Sequence, residues 1–254
     1  MAESFDRIGS VPTSYNRTLI VMPAFNEEAT VASVVREVLT ALPGIAVLVV
    51  NDGSSDDTAN AAREAGALVA TLPFNLGVGG AMRTGFVYAR ENGYDNVIQI
   101  DSDGQHNPVS VPALLEQLET ADLVLGARFA GEGDYKTVGP RQWAMKTLAA
   151  ILSKTSKTTL TDTTSGYRAS GPRAVELFAE HYPAEYLGDT IEALVIASRS
   201  GLIVRQVPVA MRPRAGGVPS HNPFKAAAYL ARATLALSFA LIRPRSTYHV
   251  RGSL

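Results

Sequence analysis

The stretch that decides the fold is Val97-Ile98-Gln99-Ile100-Asp101-Ser102-Asp103-Gly104-Gln105-His106. Its first four residues form an apolar run typical of a buried strand, and the run ends in two carboxylates one residue apart. On an extended strand, side chains two residues apart point the same way, so we expect Asp101 and Asp103 to face one bound ion. Their oxygen atoms suit Mg²⁺ or Mn²⁺, and Gln105 adds a carbonyl oxygen. The alternative is an ordinary surface turn, because Asp, Ser and Gly are frequent turn residues.

Strand and helix patterns alternate on both sides of this stretch. The apolar runs at residues 18–23 and 45–50 are typical of buried strands, and helical stripes separate such runs along the chain. This alternation predicts an α/β fold with a Rossmann-like, mostly parallel central sheet flanked by helices. Loops that follow parallel strands emerge at one edge of the sheet, so we expect four polar loops to form one cleft. These loops are residues 23–27, 51–54, 75–80 and 101–106.

Residue preferences predict where two of the helices begin. Asn26 is a frequent N-cap residue, and Glu27 and Glu28 would then lie in the first helical turn, where the helix dipole favours acids. The glycine-rich turn at residues 75–80 predicts a helix over residues 81–91. A Thr-rich connection leads into residues 165–168, where no strand is assigned.

The composition narrows the class of protein. With 46% hydrophobic and 19% charged residues, the chain is expected to fold around a sizeable core. The net charge of −1 provides no overall attraction to nucleic acid. The absence of cysteine excludes disulfides, thiolate metal sites and Cys nucleophiles. Neither a secretory signal nor a bilayer-spanning stretch is evident, so a cytoplasmic protein is expected.

Three segments are predicted: a flexible leader (residues 1–16), an α/β domain (residues 17–221), and a C-terminal amphipathic helix with a tail (residues 222–254). The last helix is strongly apolar, with Lys and Arg residues around it. Such a helix suits peripheral contact with the inner face of the plasma membrane, and equally suits core packing or a homodimer. The sequence leaves these alternatives open.

Six motifs, in order and spacing, resemble the inverting family 2 glycosyltransferases with the GT-A fold. The closer resemblance is to the branch that makes polyprenyl- or dolichyl-phosphate sugars (mannose or glucose). The motifs are Pro23-Ala24-Phe25-Asn26-Glu27, Asn51-Asp52-Gly53-Ser54-Ser55-Asp56-Asp57-Thr58, Asn75-Leu76-Gly77-Val78-Gly79-Gly80-Ala81, Asp101-Ser102-Asp103-Gly104-Gln105-His106, Gly126-Ala127-Arg128 and Ser165-Gly166-Tyr167-Arg168. The resemblance implies that residues 17–221 form a GT-A glycosyltransferase domain.

The resemblance also implies roles for individual residues. The metal ligands would be Asp101, Asp103 and Gln105. The donor nucleotide would be bound by Pro23, Ala24, Phe25, Glu27, Asp52, Gly53, Gly79, Asp101 and Ser102. Phosphates and the acceptor would be met by Arg128, Arg141, Arg168, Arg212, Arg214, Ser220 and His221. The catalytic candidates are Asp103, Arg128 and Asp189, although Asp189 also suits a helix cap and Arg128 a surface cation.

The sequence departs from the family pattern at two places. Asn51 stands where an Asp is usual, so Asp52 is the acid expected to contact the donor. The late Arg-Gly-Ser segment, residues 214–220, has an extra residue, and His221 stands where a Lys is expected. This departure concerns the contacts expected of Arg212, Arg214 and His221.

The activity implied is transfer of a hexose from a GDP- or UDP-sugar to a polyprenyl phosphate, with Mg²⁺ or Mn²⁺. A phosphate oxygen is already an anion at neutral pH, so positioning and electrostatics should matter more than a general base. One alternative is a saccharide or other soluble acceptor with Asp189 as base, and another is a non-catalytic sugar-nucleotide-binding module. A dinucleotide-dependent dehydrogenase is disfavoured, because residues 23–27 do not form a Gly-x-Gly-x-x-Gly turn.

Overall fold

The computed structural model describes residues 15–127, 158, 160–183 and 189–213, and of Asp189 only the backbone. In this part of the chain seven strands form one sheet: β1 (Thr18–Ala24), β2 (Ala46–Asn51), β3 (Leu68–Thr71), β4 (Asn96–Gln99), β5 (Leu123–Ala127), β6 (Arg168–Ser170) and β7 (Val204–Pro208). The described α-helices are α1 (Val31–Ala41), α2 (Thr58–Glu64), α3 (Gly77–Glu91), α4 (Val111–Gln117), α5 (Pro172–His181) and α6 (Asp189–Arg199). Short 3₁₀ helices cover Tyr15–Arg17 and Pro108–Ser110.

The sheet is mostly parallel, as the alternating pattern predicted. Its strand order is β3-β2-β1-β4-β6-β5-β7. Strand β1 pairs in parallel with β2 and β4, and β5 pairs in parallel with β7. Strand β6 runs antiparallel between β4 and β5, and the sequence did not predict it. A three-residue strand carries too little periodicity to be recognised, and its pairing is fixed by neighbours distant in sequence.

The alternating side chains of β1 separate two apolar layers. Leu19 and Val21 pack on one face of the sheet with residues of α3 and α5. Ile20 and Met22 pack on the other face with α1 and α4. Both layers contain fully buried aliphatic side chains, which explains why the central strands are continuous apolar runs. The polar loops at the strand ends are therefore mounted on a rigid support.

Both predicted helix starts are wrong by about one turn. Helix α1 begins at Val31, because residues 28–30 form turns and Asn26 binds another loop instead of capping. Helix α3 begins at Gly77, four residues before the predicted start, and its first amide binds the distant Asp52. Long-range contacts of this kind are invisible to local residue preferences.

The predicted segment boundaries remain predictions. Tyr15 is buried, so ordered packing begins close to the predicted domain start at residue 17. The leader before Tyr15 and the predicted C-terminal helix lie outside the described residues. Among the described helices, none has the length and apolar character needed to cross a bilayer.

Candidate active site

The loops that follow β1, β2, β3 and β4 meet at one edge of the sheet. Asn26 joins the first two loops: its backbone N–H donates to Ser54 Oγ at 2.9 Å, and its Oδ1 accepts from the Ser55 N–H at 2.9 Å. Asn26 adopts φ 54°, a left-handed conformation that Asn tolerates better than most residues. Ser102 Oγ donates to the Pro23 carbonyl at 3.2 Å, which brings in the loop after β4. The predicted convergence of the polar loops is thus present.

Residues 23–27, the first motif, lie at this edge and differ in burial. Pro23 and Ala24 are buried at the end of β1, and the Ala24 carbonyl accepts from the Asp52 N–H at 2.8 Å. Phe25 is 46% exposed, which leaves an aromatic face open to a ligand. Glu27 is tied into the loop, since its Oε2 accepts from Thr30 Oγ1 at 2.8 Å and its N–H donates to Thr58 Oγ1 at 2.8 Å.

Asp52 fastens the loop after β2 to the start of α3. Its two carboxylate oxygens accept from the N–H groups of Leu76 (2.7 Å) and Gly77 (2.8 Å). The side chain is buried, and burial raises the pKa of Asp52, although the two amide hydrogen bonds oppose that rise. Both oxygens therefore have protein partners. Its predicted contact with the donor nucleotide remains a prediction.

Gly53 allows the loops after β2 and β3 to approach closely. It adopts φ +70°, and a Cβ built there would lie 2.6 Å from the Phe74 carbonyl carbon and 2.8 Å from Asn75 N. Gly79 is buried in the first turn of α3. Gly53 thus serves backbone packing between these two loops.

The acidic motif forms a turn rather than the extended strand that we expected. Strand β4 ends at Gln99, and residues 102–104 turn with Gly104 at φ 78°. The argument that Asp101 and Asp103 share a direction because they alternate on a strand is therefore wrong. Asp103 is 3% exposed and its Oδ1 accepts from the Gln105 N–H at 3.0 Å, whereas the Asp101 side chain is 36% exposed.

The predicted metal ligands nevertheless lie within five residues of one another at the open edge of the sheet. Two carboxylates and an amide oxygen are ligands that Mg²⁺ and Mn²⁺ accept, so the donor set fits such a cation. Within the described part of the chain, no group of three or more His, Cys, Asp and Glu side chains is arranged to hold a metal. The predicted set contains only two such side chains. Further ligands would therefore have to come from the substrate diphosphate and water.

Three contacts around Asp101 were not predicted from the sequence. Gln99 Nε2 donates to Asp101 Oδ1 at 3.1 Å, and His106 Nδ1 accepts from the Asp101 N–H at 3.0 Å. Gly166 approaches the same carboxylate: a Cβ built there would lie 3.2 Å from Asp101 Oδ2. The one available sequence signal was Gln99, a polar residue inside an apolar strand.

The described arginines differ in their surroundings. Arg168 is 4% exposed and donates to the Ser165 (2.8 Å) and Thr163 (3.1 Å) carbonyls, contacts that favour a structural role in this loop. Arg212 is more exposed; its guanidinium pairs with Glu37, and its backbone N–H donates to the Gln105 carbonyl at 3.0 Å. Arg212 is therefore adjacent to the acidic turn, as a phosphate-binding residue would need to be.

Some of the predicted site residues lie wholly or partly outside the described part of the chain. Asp189 is the first residue of α6, but its side chain is outside the described atoms. The following predicted residues also lie outside the described part of the chain: Arg128, Arg141, Arg214, Ser220 and His221. Their roles remain predictions.

A mostly parallel sheet with an acidic turn after its fourth strand agrees with the GT-A fold of glycosyltransferases. Residues 19–174 match the family described as Glycosyl transferase family 2, and the chain belongs to that family. The family assignment supports the prediction that the chain is a glycosyltransferase.

The relatives confirm the resemblance to the polyprenyl-phosphate sugar synthases. The chain is 31% identical over 202 residues to an undecaprenyl-phosphate mannosyltransferase of Micrococcus luteus, covering 76% of this chain and 82% of the relative. It is 31% identical over 218 residues to a polyprenol monophosphomannose synthase of Mycolicibacterium smegmatis, covering 80% of each.

Solved structures agree on the fold. Glucosyl-3-phosphoglycerate synthase of Mycobacterium tuberculosis, in complex with Mn²⁺, UDP and phosphoglyceric acid, superposes with a TM-score of 0.69 at 26% identity. The superposition covers 90% of this chain and 80% of that chain. The same enzyme with Mg²⁺ and UDP gives a TM-score of 0.68 at 25% identity.

Proposed function

We propose that this chain transfers a hexose from a GDP- or UDP-sugar to a polyprenyl phosphate, with inversion at the anomeric carbon and with Mg²⁺ or Mn²⁺. The observation that carries the proposal is the acidic turn at the cleft edge, where Asp101 is partly exposed and Ser102 binds the end of β1. Two relatives named for polyprenyl-phosphate mannose transfer support the acceptor class. Solved neighbours that contain UDP with Mn²⁺ or Mg²⁺ support the donor and the cation.

Under this proposal, different residues bind the cation, the nucleobase and the phosphates. Asp101, Asp103 and Gln105 would hold the cation, which when bound neutralises charge on the departing diphosphate. The exposed ring of Phe25 would stack on the nucleobase, next to the loop fastened by Asp52. Arg212 would place a planar, permanently charged group near the phosphates.

A lipid-linked phosphate acceptor would reduce the need for a general base. Its oxygen is already charged at neutral pH, so the protein must orient it and exclude water. Peripheral membrane contact through residues 222–254 belongs to the same proposal, since the acceptor resides in a bilayer. A homodimer through that segment remains a prediction as well.

A saccharide or other soluble acceptor that reacts through a hydroxyl group is the second candidate. It is favoured by the similarity to an enzyme solved with phosphoglyceric acid. A hydroxyl group must lose its proton during transfer, so a general base is required, and Asp189→Asn should then cost orders of magnitude in turnover. Under the polyprenyl phosphate proposal, Asp189→Asn should retain most of the activity.

The proposal is tested first by ligand-dependent thermal stability. A sugar nucleotide at about one hundred times its Kd stabilises the fold by about 2.7 kcal/mol, which for a domain of this size raises Tm by about 5–10 °C. We expect this shift with one of the two nucleotide classes, and only when Mn²⁺ or Mg²⁺ is present. The responsive donor is then incubated with undecaprenyl phosphate or with phosphoglyceric acid to identify the acceptor class.

Asp103→Ala is the decisive variant. It should lower kcat/KM about a hundredfold or more, because charge stabilisation through a bound metal is worth several kcal/mol. Asp95→Ala is the matched control: Asp95 precedes β4 at its opposite end and forms an exposed ion pair with Arg17. Full activity in Asp103→Ala would remove the metal assignment.

A further inference from the structure

The carboxylate of Asp101 is surrounded by groups that restrict where it can point. Gln99 Nε2 donates to Oδ1 at 3.1 Å, and His106 Nε2 lies 3.7 Å from Oδ2. On a third side, Gly166 comes so close that even a methyl group there would lie 3.2 Å from Oδ2. A side chain at an open edge would normally sample several rotamers, so these contacts give Asp101 a restricted direction.

His106 is itself held in place. It is 4% exposed, and its ring stacks on Tyr167 with the centroids 4.7 Å apart and the planes 11° apart. Tyr167 is also buried, and its hydroxyl donates to the Asn107 carbonyl at 2.7 Å. Because His106 Nδ1 accepts the Asp101 N–H, the neutral ring carries its proton on Nε2, the atom that faces Asp101 Oδ2.

Gln99 is also held in place, in this case by the pairing of its strand within the sheet. It is 3% exposed and belongs to β4, where its backbone pairs with Val21 of β1 and with Arg168 of β6. A buried amide in an apolar strand is costly unless it is hydrogen-bonded, and here its Nε2 bonds to Asp101. The sheet therefore carries a donor aimed at the exposed carboxylate.

We propose that Gln99 and His106 are positioning residues that direct the Asp101 carboxylate toward the cation. The inference rests on the proposed metal-dependent function and adds two residues to it. Neither residue is expected to touch the cation or the substrate. Groups that orient a metal-binding side chain change metal affinity by about 10- to 100-fold when they are removed.

Two substitutions remove these contacts and leave an apolar side chain in place. His106→Phe retains a ring that can stack on Tyr167 but has no nitrogen, and Gln99→Leu leaves a branched side chain, one carbon shorter, without a donor. We expect each to weaken Mn²⁺ binding in the presence of UDP about 10- to 100-fold. Binding is measured by electron paramagnetic resonance of free Mn²⁺. His106→Asn, which can still accept the Asp101 N–H, should recover part of the loss.

Kinetics provide a readout that a structural defect alone would not change. The Mn²⁺ concentration for half-maximal rate should rise about tenfold or more, while kcat at saturating Mn²⁺ changes little. Val38→Ala is the control, because Val38 is fully buried in α1 and belongs to the apolar layer. It should lower Tm without changing the affinity for Mn²⁺.

The outcomes separate this inference from the proposed function. If wild type binds Mn²⁺ with UDP, Asp101→Asn does not, and both positioning variants bind like wild type, the inference is overturned and the proposed function stands. If wild type itself shows no Mn²⁺-dependent binding of UDP or GDP, both are overturned. If His106→Phe does not fold, Gln99→Leu decides the question alone.

Discussion

The close approach of two loops at Gly53 makes a strong prediction about stability. In Gly53→Ala the new methyl group would lie 2.6 Å from the Phe74 carbonyl carbon and 2.8 Å from Asn75 N. Both are backbone atoms, so no side-chain rotation can relieve the contact. The loop after β3 would have to move, and with it the Leu76 and Gly77 amides that bind Asp52.

The cost has two parts that can be separated by a control. Placing a residue with a Cβ at φ +70° costs about 1–2 kcal/mol. Forcing a methyl group into a packed contact costs about a further 1–3 kcal/mol. In Gly93→Ala only the first part applies, because Gly93 adopts φ +75° and a Cβ there meets nothing within 4 Å.

The assay is urea unfolding followed by circular dichroism, for wild type and for both variants. We expect Gly53→Ala to lose about 2–5 kcal/mol and Gly93→Ala about 1–2 kcal/mol of the free energy of unfolding. The loss in Gly53→Ala should be accompanied by weaker binding of the nucleotide, whereas Gly93→Ala should bind normally. Equal destabilisation of the two variants would show that the loops are not in contact in solution.

Three further predictions concern the same loops. Asp52→Ala removes the acceptor of the Leu76 N–H and leaves the buried Gly77 N–H with Asn75 Oδ1, so it should cost about 1–3 kcal/mol by urea unfolding. Burial raises the pKa of Asp52, so the unfolded chain releases the carboxyl proton at a lower pH than the folded chain does. The free energy of unfolding of wild type, relative to Asp52→Asn, should therefore fall as pH rises from about 4. A difference between the two proteins that does not change with pH would contradict this prediction. Asn26→Gly keeps φ 54° accessible but removes the bond to Ser55 and should cost about 0.5–1.5 kcal/mol, whereas Asn26→Ala adds about 1–2 kcal/mol of backbone strain. Equal losses in the two Asn26 variants would argue against the left-handed conformation.

The central sheet was predictable because its information is local. The apolar run at residues 45–50 corresponds to β2, which is buried from Val47 onward as an inner strand of a parallel sheet must be. The start of α5 at Pro172 is also a local signal, because Pro suits the first helical position. Strand order and the antiparallel β6 depend on pairing between distant segments, which no local pattern records.

The convergence of the four loops was predictable, but the contacts that join them were not. Asn26, expected as a helix cap, binds Ser54 and Ser55 of the neighbouring loop. Asp52, whose donor contact remains a prediction, also binds the start of α3. An Asn or Asp that follows a strand can cap a helix, bind a ligand or hydrogen-bond to a neighbouring loop. Only the neighbours of the residue in the folded structure distinguish these roles.

The two acids of the motif differ in burial, and under the proposed function this difference would determine how each is directed toward a cation. Asp103 is almost fully buried, and its Oδ1 accepts from the backbone N–H of Gln105. The turn itself therefore holds the Asp103 carboxylate in place. Asp101 is partly exposed, so its direction must come from side chains outside the turn's backbone. Gln99 on β4 supplies one such group, and β4 is paired on both sides within the sheet. A site built in this way inherits the rigidity of the sheet, and a rigid pair of carboxylates loses little entropy when it binds a cation.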